Sequence, residues 1–369
     1  MPMETAAPST LPSPAVQADP LFESLDASGD PLPLVVRPAG PDQASTAWLE
    51  RWVHAHAGYV RKKMVEHGAV LFRGFELHGP EDFQRIALQV DPGLQDHYLG
   101  TSPRENKTRY VFSASEIPGF FPIMQHCEMS FLPSAPKRLF FYCHVQPQVG
   151  GETPLTDFRK VVRDMDPAVR QAFEQKGVRT IRNYIGPDQS GGIDKWHTKN
   201  WADMFKTRDK AEVEAQAQRE QLDASWLPGD RLRLENVQPA IKPHPETGEP
   251  VWFNHTQVFH VDAARLEYSH IRRRQRTPRA WLVSHFINAL TWYKKRSKAP
   301  EEQATHCTYG DGSPIPPEVM RHVSDLIWRH MVFLKWKQGD MVAIDNYSTA
   351  HGRMPYSGPR DIQVAWTTP

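Results

Sequence analysis

The sequence has few cysteines, no long apolar run and no excess of either charge. Its three cysteines, Cys127, Cys143 and Cys307, are too few and too scattered for a disulfide framework or a paired-cysteine metal site, and free thiols are typical of a reducing compartment. No run approaches the roughly 18 apolar residues that a membrane-spanning helix needs. Lysine and arginine number 44 against 43 aspartate and glutamate, whereas nucleic-acid binders usually carry a strong basic excess. We therefore expect a cytoplasmic protein with neither a nucleic-acid nor a membrane partner.

The first 30 residues differ in composition from the rest of the chain. Residues 1–30 are rich in proline, alanine, serine and threonine and lack the basic start and apolar stretch of a signal peptide, so they predict a disordered tail. Residues 31–369 are long enough to bury a large core, and we expect a single domain with insertions near 178–250 and 256–305. The polar stretch 178–250 has one clear helical pattern and is interpreted as an insertion or lid. The oligomeric state is left open.

Apolar spacing indicates helices that cluster early in the chain and short strands that dominate around its polar motifs. Helices are predicted at four places: 46–68, 79–93, 165–177 and 313–330. Strands are predicted over 69–75, 137–147 and 332–353, the last interrupted by a Gly-Asp turn. Because these strands do not alternate regularly with helices, the pattern predicts an α+β protein rather than a parallel βαβ fold. The expected core is β-rich, with flanking helices.

The segment MQHCEMSF, residues 124–131, places a histidine and a glutamate two positions apart in what is otherwise a strand pattern. Side chains at i and i+2 of a strand point to the same face, so His126 and Glu128 are expected to share one, while Cys127 faces away as a small buried hydrophobe. A glutamate on a face of ordinary core would carry a large desolvation cost. The pair is therefore expected in a polar cavity, at the surface or on a metal, and the spacing alone does not choose.

A third candidate ligand is His351, at the end of the segment GDMVAIDNYSTAH. Two histidines and one carboxylate are the composition of the facial triad that holds iron(II) and leaves positions open for a bidentate co-substrate and O₂. Arg360 follows nine residues later, and the fork of a guanidinium is suited to clamping a carboxylate near the metal. Zinc can also use two histidines and a glutamate, although the HExxH helix typical of such metallohydrolases is absent from the sequence.

Four segments, in order, resemble the TauD/TfdA superfamily of iron- and 2-oxoglutarate-dependent dioxygenases. They are GAVLFRGF (68–75), QHCEM with PSAPKRLFFYCHVQPQVGGETPLTD (125–129 and 133–157), YGDGSPIP (309–316) and GDMVAIDNYSTAHGRMPYSGPR (339–360). Within the superfamily the chain is most similar to the clavaminate synthase-like branch, which includes plant clavaminate synthase-like proteins and syringomycin-type aspartyl hydroxylases. The resemblance is weaker over 178–245 and 256–305.

The resemblance implies a double-stranded β-helix, a relative of the jelly roll, with iron(II) bound by His126, Glu128 and His351. It implies 2-oxoglutarate as the co-substrate, its far carboxylate paired with Arg360 and accepting a hydrogen bond from Thr153. The implied reaction is hydroxylation or desaturation of an unactivated C–H bond by O₂, with decarboxylation of 2-oxoglutarate to succinate. Related halogenases lack the carboxylate ligand, so the presence of the glutamate favours hydroxylation or desaturation.

Two details depart from the family's commoner pattern. His-x-Asp is more usual than the His-x-Glu at 126–128, which is the minority form typical of the clavaminate branch. Arg360 also follows the second histidine more closely than in taurine dioxygenase, and Arg353 is the only nearer alternative. Because Arg353 lies two residues from a candidate ligand, we expect it to brace that turn or to contact substrate.

The resemblance to the clavaminate branch implies an amino-acid-like small-molecule substrate, either free or bound to a carrier protein. Candidate substrate contacts are Arg104, Ser113, Asn254 and Arg353, although the first three also have ordinary turn or core explanations. The segments HIRRRQRTPRAW (270–281) and YKKRSK (293–298) are the only concentration of basic residues, interpreted either as a solvated helix face or as a dock for an acidic carrier protein. Two other functions remain open, namely a catabolic dioxygenase of a small anionic substrate and a cupin-like metal-binding protein without activity.

Overall fold

A computed structural model describes residues 22–96, 104–115, 117–189 and 200–369. The α-helices are α1 (Thr46–His67), α2 (Pro80–Val90), α3 (Phe158–Arg163), α4 (Pro167–Lys176), α5 (Trp201–Phe205), α6 (Lys210–Arg219), α7 (Thr256–Phe259), α8 (Ala263–Gln275), α9 (Pro278–Ser297) and α10 (Pro317–Arg329). Short 3-10 helices span Pro41–Gln43 and Pro300–Glu302. None of the helices in the described ranges combines the length and apolarity that crossing a bilayer requires.

The strands are short and occur along the whole described chain. They are β1 (Phe22–Ser24), β2 (Leu34–Val36), β3 (Ala69–Phe72), β4 (Phe112–Ser113), β5 (Ile123–His126), β6 (Arg138–Val145), β7 (Val149–Gly150), β8 (Thr153–Asp157), β9 (Val178–Tyr184), β10 (Asp223–Leu227), β11 (Arg231–Gln238), β12 (Ile241–Pro243), β13 (Pro250–Trp252), β14 (Thr305–Tyr309), β15 (Met331–Leu334), β16 (Met341–Asp345), β17 (Thr349–Arg353), β18 (Tyr356–Ser357) and β19 (Asp361–Trp366).

Two sheets pack face to face and form the core. One has the strand order β1-β15-β8-β17-β5 and the other β2-β3-β16-β6-β19-β4. Strand β2 joins β3 in parallel, and the other pairings in the two sheets are antiparallel. Leu71 of β3 and Phe141 of β6 meet Leu155 of β8 and Val332 of β15 in one buried cluster between the sheets. The predicted jelly-roll core with flanking helices is confirmed.

The outer face of the six-stranded sheet is covered by α1 and α2. Side chains alternate between the two faces of a strand, so Val70 and Phe72 of β3 point away from the inter-sheet core. They pack against Leu49 of α1 and Phe83 of α2 in a second buried cluster. The apolar run AVLF is therefore buried on both faces, which explains why this stretch shows no alternation of polar and apolar residues.

The predicted helices begin and end close to the expected residues. Helix α1 begins after Ser45, whose hydroxyl accepts a hydrogen bond from the amide of Trp48 at 3.3 Å, and it ends at Gly68 with φ +78°. That backbone conformation carries no steric cost for glycine. Helix α4 begins after Asp166, whose carboxylate accepts hydrogen bonds from two amides of the first turn. These end signals are local, which is why the sequence predicts them well.

The structure corrects three of the sequence-based expectations. Residues 1–21 of the predicted tail lie outside the described residues, but Phe22–Ser24 pairs with β15, and Asp26 accepts a hydrogen bond from Lys160 at 2.5 Å. The tail prediction therefore extends too far. Residues 332–353 form parts of three strands rather than two, because the residues after Asp345 make a second turn.

The third correction concerns residues 178–250, for which one clear helix was predicted. Strands β9, β10 and β11 of this segment join β14 in a four-stranded sheet of order β10-β11-β9-β14. Leu232 and Leu234 of β11 are buried in the main core cluster, while Arg233 between them is partly exposed. The sheet was missed because its polar outer face dominates the composition.

Candidate active site

The pairing of β17 with β5 brings two histidines together. His351 lies opposite His126 in the antiparallel register, and their ring centroids are 4.4 Å apart. The next residue is Gly352, where a Cβ atom would lie 2.5 Å from the carbonyl oxygen of Ile123. Only glycine permits this close approach of the two backbones, so the sequence HG at 351–352 is part of what sets the separation of the two imidazoles.

Glu128 reaches the same place by a route that the sequence argument did not foresee. Strand β5 ends at His126, and Glu128 lies in the following turn, where Met129 adopts φ +53°. The amide of Glu128 donates to Oδ1 of Asn346 at 2.6 Å, and Nδ2 of Asn346 donates to the carbonyls of Glu128 and Pro136 at 3.0 and 2.7 Å. His126 and Glu128 line the same cavity, one of the three places expected for the pair. They do so because of the turn after β5, not because they share a strand face. The clamp by fully buried Asn346, which sequence reasoning missed, holds the turn.

The three side chains form a compact donor set. One nitrogen of each histidine and one oxygen of Glu128 lie within 4.8 Å of one another. Nδ1 of His126 lies 2.8 Å from the carbonyl of Met124; a carbonyl can only accept, so Nδ1 carries the proton and Nε2 is left with its lone pair. Nε2 of His351 lies 3.9 Å from Oε2 of Glu128. Two imidazole nitrogens and one carboxylate oxygen fit iron(II) with an open face.

Burial favours the neutral form of two histidines in this site, His351 and His255. It holds the pKa of His351 well below its usual range, and the nearby His126 and Arg104 lower that pKa further. Burial likewise lowers the pKa of His255, whose Nδ1 lies 2.7 Å from Oγ of Ser130. Neutral imidazole is the form that ligates a metal. No motif in the sequence distinguishes His255 from the other histidines, which number 17 in all.

Arg104 contacts the carboxylate of the triad. Its Nη2 donates to Oε2 of Glu128 at 3.1 Å, and both side chains are buried. Its Nη1 donates to the carbonyl of Ala114 at 2.6 Å, and its guanidinium lies 5.5 Å from the ring centroid of Trp366. Arg104, predicted as a substrate contact, lines the cavity of the triad, and its hydrogen bond also holds Oε2 of Glu128.

Arg360 and Thr153 line the same cavity as the triad. Nε of Arg360 donates to the carbonyl of Gly151 at 3.3 Å, and within the described residues no carboxylate forms an ion pair with its guanidinium. Burial lowers the pKa of Arg360 to about 10, with a contribution from Arg353, so the group stays charged at neutral pH. Oγ1 of Thr153 accepts a hydrogen bond from Nε1 of Trp336 at 2.9 Å, and its hydroxyl proton remains for a ligand.

Arg353 braces a loop. Its Nη1 donates to the carbonyl of Ile117 at 2.9 Å, and its Nη2 donates to those of Pro118 and Phe121 at 2.9 and 3.0 Å. The side chain also lines the cavity. Of the two roles expected for Arg353, the geometry supports bracing, and the braced element is the 117–121 segment rather than its own turn.

The sequence matches one known family over nearly its whole length. The model of the "Taurine catabolism dioxygenase TauD, TfdA family" matches residues 35–366. The chain belongs to this family. It is therefore an iron(II)- and 2-oxoglutarate-dependent dioxygenase, and its cofactor, co-substrate and oxidant are iron(II), 2-oxoglutarate and O₂.

Individual relatives are consistent with the predicted branch of the TauD/TfdA family. The chain is 29% identical over 306 residues to the dapdiamide synthesis protein DdaC of Enterobacter agglomerans, covering 83% of this chain and 84% of DdaC. It is 26% identical over 342 residues to a clavaminate synthase-like protein of Arabidopsis thaliana, covering 90% and 92% of the two chains. The crystal structure of PvcB from Pseudomonas aeruginosa matches with a TM-score of 0.50 at 12% identity, over 96% of this chain and 93% of PvcB, and so shares the fold.

The cavity of this dioxygenase measures about 490 Å³. The triad, Arg360 and Thr153 contribute to its wall from the two core sheets. Other parts of the wall come from the regions predicted as insertions, including 182–184 in β9, 258–261 around the end of α7, Lys294 of α9 and 303–305 before β14. The segments with the weakest family resemblance therefore contribute to the pocket next to the triad.

Two predicted substrate contacts do not line this cavity. Oγ of Ser113 accepts a hydrogen bond from the amide of Glu105 at 2.9 Å. Asn254 is buried in a turn, where Nδ2 donates to the carbonyl of Ala240 and Oδ1 accepts from the amide of Thr256, both at 2.8 Å. Both side chains thus have backbone-bracing roles, and the structure gives no support for contact with substrate.

Proposed function

We propose that this dioxygenase binds iron(II) through His126, Glu128 and His351 and hydroxylates or desaturates an unactivated C–H bond of an amino-acid-like small molecule, with decarboxylation of 2-oxoglutarate to succinate. The observation that carries the proposal is the convergence of two histidines and a carboxylate within 4.8 Å in the cavity that also holds Arg360. When bound, iron and 2-oxoglutarate supply the activation of O₂ and the oxidation of the substrate. The protein supplies position, charge and exclusion of water.

Each neighbouring side chain has a definite part in this proposal. Arg104 donates to Oε2 of Glu128, the oxygen that lies 3.9 Å from Nε2 of His351, and so holds the carboxylate toward the metal site. Arg360 pairs with the far carboxylate of 2-oxoglutarate, and Thr153 donates its hydroxyl proton to the same group. Such a charged bidentate contact both binds and orients the co-substrate.

The substrate class is inferred from the relatives. The name of DdaC ties that protein to dapdiamide synthesis, and the Arabidopsis relative is named for its likeness to clavaminate synthase. We infer from these names a small-molecule substrate in natural product biosynthesis. The three cysteines of the chain are all free and buried, which supports a reducing compartment such as the cytoplasm.

The decisive experiment combines a spectrum with a product assay. Anaerobic addition of iron(II) and 2-oxoglutarate is expected to produce the weak visible charge-transfer band of a chelated site. In air, succinate formation should rise above the uncoupled level with a member of a panel of free amino acids and carrier-bound aminoacyl groups. Absence of the band would favour the inactive cupin-like alternative, whereas a band with turnover of small anionic acids alone would favour the catabolic one.

A carrier-bound substrate is favoured by one surface of the molecule. Helix α9 exposes an apolar face on which five side chains are 51–65% exposed: Trp281, Leu282, Phe286, Trp292 and Tyr293. Exposed apolar patches of this kind mark interaction surfaces. Two exposed arginines lie at the end of α8, just before α9 in the chain: Arg273, which is 62% exposed and 3.9 Å from Asp325, and Arg276. Arg274 is different, because its guanidinium lies 3.6 Å from Glu152 and over the ring of Phe333.

Reversing two charges of this surface tests the carrier hypothesis. The double substitution Arg273→Glu with Arg276→Glu is expected to slow turnover of a carrier-bound substrate several-fold, because it removes attraction to an acidic docking helix. The penalty should shrink near 0.5 M salt, where the Debye length is only about 4–5 Å. The measurement is initial rate against salt concentration.

The control for this test is Arg163→Glu, at another exposed arginine that is 60% exposed. Its rate with a carrier-bound substrate should match that of the wild-type protein. If a free amino acid is turned over efficiently and the double reversal changes nothing, the basic surface is merely solvated and the carrier hypothesis is wrong.

A further inference from the structure

Arg182 is a buried guanidinium on the cavity wall that the proposed mechanism does not use. It lies on β9, is 2% exposed and lines the cavity of the triad. Its Nη1 donates to the hydroxyl of Tyr184 at 3.3 Å, and the guanidinium carbon lies 4.3 Å from the ring centroid of Phe131. Its Nε and Nη2 are buried and find no hydrogen-bond partner among the described residues.

The charge of Arg182 is not balanced by the protein that surrounds it. Across the ranges the structure covers, no carboxylate lies within ion-pair distance of its guanidinium, and Glu128 is the only acidic side chain among the described residues that line the cavity. Glu128 already faces Arg104 and the two histidines. A buried charge without a partner is costly to the folded state, and two buried N–H donors without acceptors add to that cost.

A chain of ring contacts connects this guanidinium to the proposed metal site. The ring centroid of Phe131, over which Arg182 lies, is 4.8 Å from that of His255. The ring of His255 is in turn 5.4 Å from that of His126. Arg182 and the triad therefore line one continuous cavity. Arg360, by contrast, precedes β19 in the six-stranded sheet, so the two guanidinium groups are carried by different sheets.

We propose that Arg182 forms a second anion subsite in this cavity and binds a carboxylate group of the substrate, distinct from the carboxylate of 2-oxoglutarate at Arg360. This inference rests on the proposed function, because it assumes that 2-oxoglutarate occupies Arg360. The fork of Nε and Nη2 offers two parallel donors, which is the geometry that a carboxylate accepts. Tyr184 and Phe131 act as positioning residues that hold the plane of the guanidinium.

The alternative is that Arg182 only packs against Phe131. A cation–π contact and one hydrogen bond at 3.3 Å could be made by a side chain that kept its other donors in water. The complete burial of two unpartnered donors beside a cavity is what distinguishes the subsite from simple packing. A subsite predicts that a small carboxylate stabilises the protein, whereas simple packing predicts no such effect.

The test uses acetate as the probe on protein loaded with Mn(II) and saturating 2-oxoglutarate, so that Arg360 is already occupied. About 100 mM acetate is expected to raise the thermal midpoint of the wild-type protein by on the order of 2 °C, as for a weak site with Kd near ~10 mM. The same concentration of acetamide should have no such effect. Arg182→Met should lose the acetate response, and its midpoint without acetate should equal or exceed that of the wild type.

A second variant keeps the test decisive if Arg182→Met does not fold. Arg182→Lys retains the charge but loses the fork, and its acetate response should be several-fold weaker than that of the wild type. Equal responses to acetate in the wild type and the variants, or equal effects of acetate and acetamide on the wild type, would overturn the proposal.

The anaerobic spectrum separates this inference from the proposed function. Both the wild type and Arg182→Met should form the charge-transfer band with iron(II) and 2-oxoglutarate at similar 2-oxoglutarate concentrations. A wild type without the band refutes the proposed iron site whatever acetate does. A normal band together with no selective acetate response refutes the Arg182 subsite alone.

Discussion

Replacing His351 or His126 with alanine is expected to abolish iron retention and turnover while leaving the fold largely intact. Each substitution removes one of the three donors of the proposed iron site, the one such group found among the described residues. The fold should survive because the core between the two sheets is made of other residues. Iron per chain after desalting and succinate formation measure the loss, and circular dichroism checks the fold.

The matched control for this prediction is His255→Phe. His255 lies in the same cavity, with its ring 5.4 Å from that of His126, but it is not one of the three converging ligands. The variant keeps an aromatic ring at that place and should retain iron. Retention of full activity by His351→Ala, or loss of iron in His255→Phe alone, would show that the ligand set is wrong. Glu128→Ala is less informative, because it opens a position that chloride could fill.

Local signals in the sequence predicted the helices and the chemical composition of the site. Ser45, Gly68 and Asp166 mark helix ends by interactions within a few residues, so a sequence pattern is enough to find them. The site composition was predictable because His126 and Glu128 are close in sequence and the motif containing His351 resembles that of the family. The distance between His126 and His351 could not be predicted from the sequence, because it depends on the register of β5 against β17.

The features that the sequence did not predict depend on contacts between distant residues. Asn346 clamps Glu128 from 218 positions away, and no spacing rule links the two. The four-stranded sheet that carries Arg182 was hidden by the polar composition of 178–250. Ser113 and Asn254 have side chains suited to substrate contact, and only their hydrogen bonds to the backbone reveal that they brace turns instead.

The assignment of Arg360 as the 2-oxoglutarate clamp leads to a specific kinetic expectation. Arg360→Lys should raise the apparent KM for 2-oxoglutarate by roughly ten- to a hundredfold, because losing one bidentate charged contact costs on the order of 1.5–3 kcal/mol. A lysine keeps a positive charge but places a single ammonium where the fork was. The measurement is succinate formation against 2-oxoglutarate concentration at saturating iron.

Arg353→Lys is the matched control, since it is the other candidate clamp and lines the same cavity. Arg353 donates three hydrogen bonds, to the carbonyls of Ile117, Pro118 and Phe121. Among the described residues, Arg360 donates one, to the carbonyl of Gly151. Arg353→Lys should therefore loosen the 117–121 segment and lower thermal stability, with little change in the KM for 2-oxoglutarate. A large rise in that KM for Arg353→Lys and none for Arg360→Lys would reverse the assignment. Arg353 would then bind the co-substrate, although more of the donors of Arg360 are available.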